Sequence, residues 1–218
     1  MPMKTTSELK NNCAALHAWA RSLPRHTFPF DEAGIPKDGL YLLFEEGEQA
    51  HGGPRVVRVG THTGNGQLLS RLRQHFVMAN KDRSIFRKNI GRALLKRSKD
   101  RYADVWELDM TTAAARKKDG NKIDADKQHK IEQEVTAYMQ KAFSFAVVPI
   151  PELLRRLQME SKIISTLSLC EACEPSATWL GRSSPKLKIR ESGLWLVNEL
   201  YKTPLTEADL LYLEQRTI

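Results

Sequence analysis

The chain has 218 residues, of which 41% are hydrophobic and 28% charged, the proportions of an ordinary globular protein. No apolar run reaches the roughly 18 to 20 residues that a membrane span needs. "MPMKTTSELKNNC" also lacks the apolar segment of a secretory leader, so no membrane contact and a cytoplasmic location are expected. The net charge of +8 and the pI of about 9.4 favour an anionic partner, nucleic acid first.

Residues 7–21, "SELKNNCAALHAWAR", predict a helix capped by Ser7, with Leu9, Cys13, Leu16 and Trp19 or Ala20 on one side. Pro24 and Pro29 break the pattern. From Gly39 to Phe44, Leu40, Leu42 and Phe44 alternate with Tyr41 and Leu43, which predicts a strand. "EEGEQAHGGP" reads as a glycine-rich connection, and Arg55 to Val59 returns as the second strand of a hairpin.

"THTGNG" is a turn leading into a helix from Gln67 to Phe76, with Leu68, Leu69, Leu72 and Phe76 as its apolar stripe. Arg71 and His75 stand one turn apart on a neighbouring side. "SIFRKNIGRALLK" predicts another amphipathic helix from Ser84, with Ile85, Phe86, Ile90, Ala93 and Leu94 inward and its bases outward. Arg83, Arg87, Lys88, Arg92 and Lys96 are therefore expected to bind nucleic-acid phosphates, helped by Lys186, Lys188 and Arg190.

Residues 111–128 are polar and predict a mobile insertion. "HKIEQEVTAYMQKAF" predicts a helix with Ile131, Val135, Tyr138 and Ala142 in register, and "FSFAVVPI" a third strand. Pro151 opens the next helix, which carries Leu153, Leu157, Ile164 and Leu167. Glu160 falls in the middle of that apolar series. An unpaired buried carboxylate costs several kcal/mol, so this one must pair with a cation, hold a metal or lie on a cleft floor. Glu134 is the second candidate, on a row that Lys127 and Lys141 extend.

Cys170 and Cys173 form "CEAC", a pair that can begin a zinc site or a redox couple. A zinc site wants a second pair, and the other cysteine is Cys13 alone, so structural or incidental cysteines are expected.

Taken in order, "GLY" (39–41), "RVG" (58–60), "LLSRLRQHF" and "MESKIISTL" resemble the GIY-YIG nuclease superfamily over about residues 37–180. The resemblance implies an α+β fold: a small three-stranded antiparallel sheet flanked by helices. Here the core would carry an insertion at about 97–141, an N-terminal helix and an extension at 181–218, in one domain. It also implies DNA cleavage with one divalent ion, Mg²⁺ or Mn²⁺, held by a single glutamate.

Matched residue by residue, Tyr41 takes the place of the first motif's tyrosine and would act as general base or orient the water. Arg71 would fork onto the phosphate, His75 would share the base role or hold a phosphate, and Glu160 would hold the metal. His62 is a weaker base candidate. Arg58 stands where the second motif has tyrosine, and would supply a cation beside Tyr41. The longer spacing between the motifs predicts a longer hairpin loop. An asparagine often follows the glutamate in the family; here none is clearly present, and "PSATWLG" (175–181) lies near that place. The alternatives to an endonuclease are a DNA-binding module without cleavage, and a cytosolic interaction protein with a basic surface.

Overall fold

The computed structural model describes residues 6–216, so the first five positions of the stretch read for a leader lie outside it. Four strands form one antiparallel sheet in the order β1-β4-β2-β3: β1 (His26–Thr27), β2 (Gly39–Ala50), β3 (Gly53–Gly60) and β4 (Phe143–Pro149). The three expected strands are there, and a two-residue strand paired to β4 adds a fourth. The α+β class and the antiparallel sheet with flanking helices stand.

The central strand β2 reads as one apolar run because both of its sides are covered. Leu40, Leu42 and Phe44 join a core with α1 (Thr6–Ser22), α7 (Leu153–Leu169) and α9 (Glu207–Glu214). Tyr41 and Leu43 join a second core with α2 (Leu68–Phe76), α3 (Ile85–Ser98) and α6 (Ala125–Ala142). The α1 helix buries Cys13, Leu16, Trp19 and Ala20 as the spacing predicts, although Ser7 lies inside it rather than capping it. Likewise α7 starts at Leu153, two residues beyond Pro151.

The hairpin differs from expectation in an informative way. Most of "EEGEQAHGGP" is strand, and the long spacing lengthens the ladder instead of the loop. The turn is His51–Gly52, with φ of 50° and 76°, the pairing that a tight two-residue hairpin turn demands. Glu45 and Glu48 look like loop residues in sequence, yet both are buried. Trp179 Nε1 (2.7 Å) and Trp195 Nε1 (2.8 Å) donate to Glu45, and Arg55 Nη2 donates to Glu48 at 2.6 Å. These partners come from β3 and from the C-terminal segment, so a local reading misses them.

The expected insertion carries α4 (Ala103–Trp106), α5 (Ala113–Asp119) and α6, so its polar stretch at 111–128 contains helix. A short α8 (Leu187–Ser192) follows α7. Beyond it the chain docks beside the outer strand β3, where Trp195 N donates to Val57 O at 2.9 Å. The segment thereby covers an edge that would otherwise offer unpaired backbone groups. Among the described residues, no helix is long and apolar enough to cross a membrane.

Candidate active site

Register places Tyr41 opposite Gly60 and Leu43 opposite Arg58 on the β2–β3 pair, so these four residues share one side of the sheet. The α2 helix packs its apolar stripe on that side and turns His75 inward. The Tyr41 hydroxyl lies 2.8 Å from His75 Nε2, and His75 Nδ1 lies 2.7 Å from Ser84 Oγ. Ser84 is the N-cap of α3 and also accepts from Arg87 N at 3.2 Å. Tyr41 and His75 are both fully buried. Burial, followed by the charges of Arg58, Arg71 and Arg87, pushes the His75 imidazole well below its ordinary range. It is therefore neutral near pH 7, with one nitrogen donating and the other accepting.

Gly60 fits this chain sterically. A methyl group there would sit 2.1 Å from the Tyr41 hydroxyl oxygen, well inside contact distance. The glycine of "RVG" thus makes room for the tyrosine of "GLY".

Glu160 is not in the middle of the buried side of α7. That side is formed by Arg156, Met159, Ile163, Ile164 and Leu167, while Leu157 is exposed and Glu160 is half-buried at the boundary. It lies on the wall of a cleft of about 470 Å³, with Arg58, Asn89, Ile164, Trp195 and Asn198. The fold thus provides the cleft among the places foreseen for this carboxylate. Burial raises the Glu160 carboxyl, while the Arg58 charge and a backbone hydrogen bond with Thr61 pull it down. No ion pair among the described residues involves Glu160.

Two guanidiniums link the carboxylate to the tyrosine–histidine pair. Arg58 and Arg71 both repel a proton on His75 and both steady the charge on Glu160. Arg58 Nη1 donates to Trp195 O, its Nε is buried without a partner, and the group stands 4.9 Å over the Phe86 ring. Arg71 is half-buried and donates from Nη1 to Gln74 Oε1 at 3.0 Å. None of the ion pairs among the described residues involves it. The site therefore sits at the β3 edge, where α2 and α3 approach from one side of the sheet and α7 from the other.

A family model described as a GIY-YIG domain matches residues 7–216. The chain belongs to the GIY-YIG family. No curated protein and no solved structure matches it.

The family match extends beyond the core read from sequence into both termini, which agrees with the structural role of the C-terminal segment. That segment also supplies cleft residues missed in sequence: Trp195 and Asn198, from "SGLWLVNEL". Two asparagines line the cleft with Glu160 in this GIY-YIG chain, Asn198 from that segment and Asn89 from α3, and none comes from "PSATWLG". The latter instead braces the hairpin, with Ser176 and Trp179 bound to Glu48 and Glu45.

The outward orientation expected for the α3 bases is overturned at three positions. Arg87, Lys88 and Arg92 are buried. Arg87 Nη2 pairs with Glu132 at 2.8 Å, Arg92 Nε with Glu107 at 2.6 Å, and Lys88 Nζ donates to Glu107 O at 2.8 Å. Buried cations need such partners, and α6 and the chain after α4 provide them. Arg83 and Lys96 are exposed, as are Lys186 and Lys188, whereas Arg190 donates to Ser184 O at 2.6 Å. The buried acid of α6 is Glu132, and Glu134 is exposed.

His62 is committed elsewhere. Its Nδ1 is 2.6 Å from Gly64 O, and its Nε2 accepts from Gly39 N at 3.4 Å, which holds the turn before α2. A larger cleft of about 590 Å³ lies between α3 and α6, and none of Tyr41, Arg58, Arg71, His75 or Glu160 lines it.

Proposed function

We propose that this protein is a metal-dependent endonuclease that hydrolyses phosphodiester bonds in DNA. The observation that carries the reading is Glu160, a carboxylate on an open cleft wall with no counter-ion pair, beside Arg58 and within reach of the Arg71 charge. A lone carboxylate suits Mg²⁺ or Mn²⁺, ions that keep several waters and take phosphate oxygens as ligands. Glu160 would hold the ion, which would supply a Lewis acid for the scissile phosphate and a more acidic bound water.

The chain's own groups do the rest. Arg71 keeps donors unused by its bond to Gln74 and can fork two of them onto a phosphate. Arg58 fixes the C-terminal segment and favours the ionised form of Glu160 against the effect of burial. Tyr41 would orient the attacking water, its hydroxyl held by the accepting Nε2 of neutral His75 while Nδ1–H donates to Ser84. Tyr41 is closed off in the free protein, and contacts of this kind often form fully only with substrate bound. Arg83, Lys96, Lys186 and Lys188 would contact backbone phosphates, which position DNA without reading its sequence.

Supercoiled plasmid and branched DNA, incubated with and without Mg²⁺ or Mn²⁺, test the reading. Metal-dependent nicking by wild type that Glu160→Ala and Arg71→Ala abolish would support it. Salt-sensitive binding with no nicking under any metal would replace it with a DNA-binding module, the reading to which Arg58 at the tyrosine position lends weight.

A further inference from the structure

The sequence offers one C-x-x-C and lacks a second pair, but the fold supplies the two missing groups from far along the chain. Cys13 comes from α1, and His51 from the tip of the β2–β3 hairpin. Cys170 and Cys173 follow the end of α7, where Cys173 N donates to Cys170 O at 3.0 Å and turns both sulfurs the same way. The one nitrogen and three sulfurs all lie within 4.8 Å of one another. Cys13 Sγ is 3.4 Å from Cys173 Sγ, and His51 Nε2 is 3.5 Å from both Cys170 Sγ and Cys173 Sγ. All three cysteines are free.

The three shortest of these separations, 3.4 to 3.5 Å, are close to what a tetrahedral ion would need, and the rest, within 4.8 Å, would close onto it. Zn–S bonds of about 2.3 Å and a Zn–N bond of about 2.0 Å put ligand atoms roughly 3.5 to 3.8 Å apart. We propose that Cys13, His51, Cys170 and Cys173 form a Cys₃His site for a structural Zn²⁺ ion, separate from the Glu160 cleft.

The neighbouring histidine is excluded by its own bonds. His17 Nδ1 lies 2.9 Å from Cys13 O, and its Nε2 accepts from Val56 N at 3.3 Å, so neither nitrogen can turn to a metal. His51 has its Nε2 turned to the sulfurs, and Arg21 holds the backbone behind it through Ala50 O and His51 O at 3.3 and 3.1 Å. His51 is half-exposed, which gives an ion a way in, whereas the three cysteines are buried. Core cysteines acting as small hydrophobic groups have no need of an imidazole among them.

Four protein ligands close the coordination shell, the mark of a structural rather than a catalytic zinc site. The ion would clip the hairpin tip and α1 to the end of α7. It would thereby brace β3, which carries Arg58, against the helix that carries Glu160.

Metal content is read independently of DNA cleavage. The full chain, purified under reducing conditions, is expected to hold one zinc per molecule by elemental analysis. The metal-free chain titrated with Co²⁺ should develop the visible bands of tetrahedral thiolate–cobalt, saturating at one equivalent and bleached by Zn²⁺. Cys170→Ser and Cys13→Ser should lose stoichiometric metal and His51→Ala should weaken cobalt binding at least tenfold, while His17→Gln should keep it. Because loss of a buried cysteine can itself unfold the chain, the wild-type cobalt spectrum is the deciding measurement. Reduced wild type that takes up no stoichiometric zinc and gives no tetrahedral cobalt bands overturns the site. So do Cys170→Ser and Cys13→Ser variants that retain a full equivalent.

Discussion

The hydroxyl of Tyr41 meets His75 Nε2 at 2.8 Å, and only a glycine at position 60 leaves space for that contact. Tyr41→Phe keeps the ring and deletes the bond. It is expected to cost about 1 kcal/mol of stability and, if the phenol moves a proton, about 10²- to 10⁴-fold in nicking rate. Gly60→Ala forces the ring aside and should cost about 1–3 kcal/mol together with about 100-fold in rate. Denaturant unfolding and plasmid nicking measure both. Undiminished nicking by Tyr41→Phe would leave the phenol a structural part only.

Glu160 is half-buried on a cleft wall, so its removal should spare the fold while ending catalysis. Glu160→Gln is expected to lower Mg²⁺-dependent nicking by more than about 100-fold, beyond what loss of an outer-shell partner costs, with an almost unchanged melting temperature. Burial raises this carboxyl and Arg58 opposes the rise. Because protons and Mg²⁺ compete for this carboxyl, the acid limb of the rate–pH profile at limiting Mg²⁺ should lie higher than at saturating Mg²⁺, and Arg58→Gln should move it higher still. An acid limb unmoved by Arg58→Gln would show that another group sets it.

Two buried imidazoles give the fold a defined acid sensitivity. In the unfolded chain they bind protons near pH 6.5, but burial lowers His17 to about 4 and pushes His75 well down. Between those limits the unfolded state holds the extra protons, so stability is complete above about pH 6.5 and falls as pH drops below it. Each imidazole contributes up to about 1.4 kcal/mol per pH unit. Thermal melts from pH 7 to pH 4 should show the decline, and it should be shallower in His17→Gln and in His75→Gln.

The basic residues of α3 divide by burial, and their variants should divide in the same way. Arg87→Met strands the carboxylate of Glu132 and should destabilise the protein by about 3–5 kcal/mol. Arg83→Ala and Lys96→Ala should leave stability nearly unchanged and each lower the salt slope of DNA binding by about 1. Fluorescence anisotropy with labelled DNA at several salt concentrations checks the slopes. A reduced slope in a folded Arg87→Met variant would return that residue to the phosphate-facing set.

The local pattern alone determined a good deal. Alternation over Gly39–Phe44 and the helical spacing of Leu68, Leu72 and Phe76 depend on neighbours along the chain, and so does the N-cap at Ser84. These elements stand where the sequence places them. The ordered motifs likewise singled out Tyr41 and His75, which the fold brings to 2.8 Å of each other.

Only the tertiary structure decided which charges are spent inside. Arg87 meets Glu132 across two helices, and Glu45 is held by two tryptophans from the far end of the chain, pairings that no local periodicity encodes. The same reason hid the sulfur cluster: Cys13 and Cys173 are 160 positions apart, and His51 joins them only because a two-residue turn lengthens the hairpin to reach them. Sequence spacing fixes which way a side chain points on its own element. What it points at depends on how the elements pack.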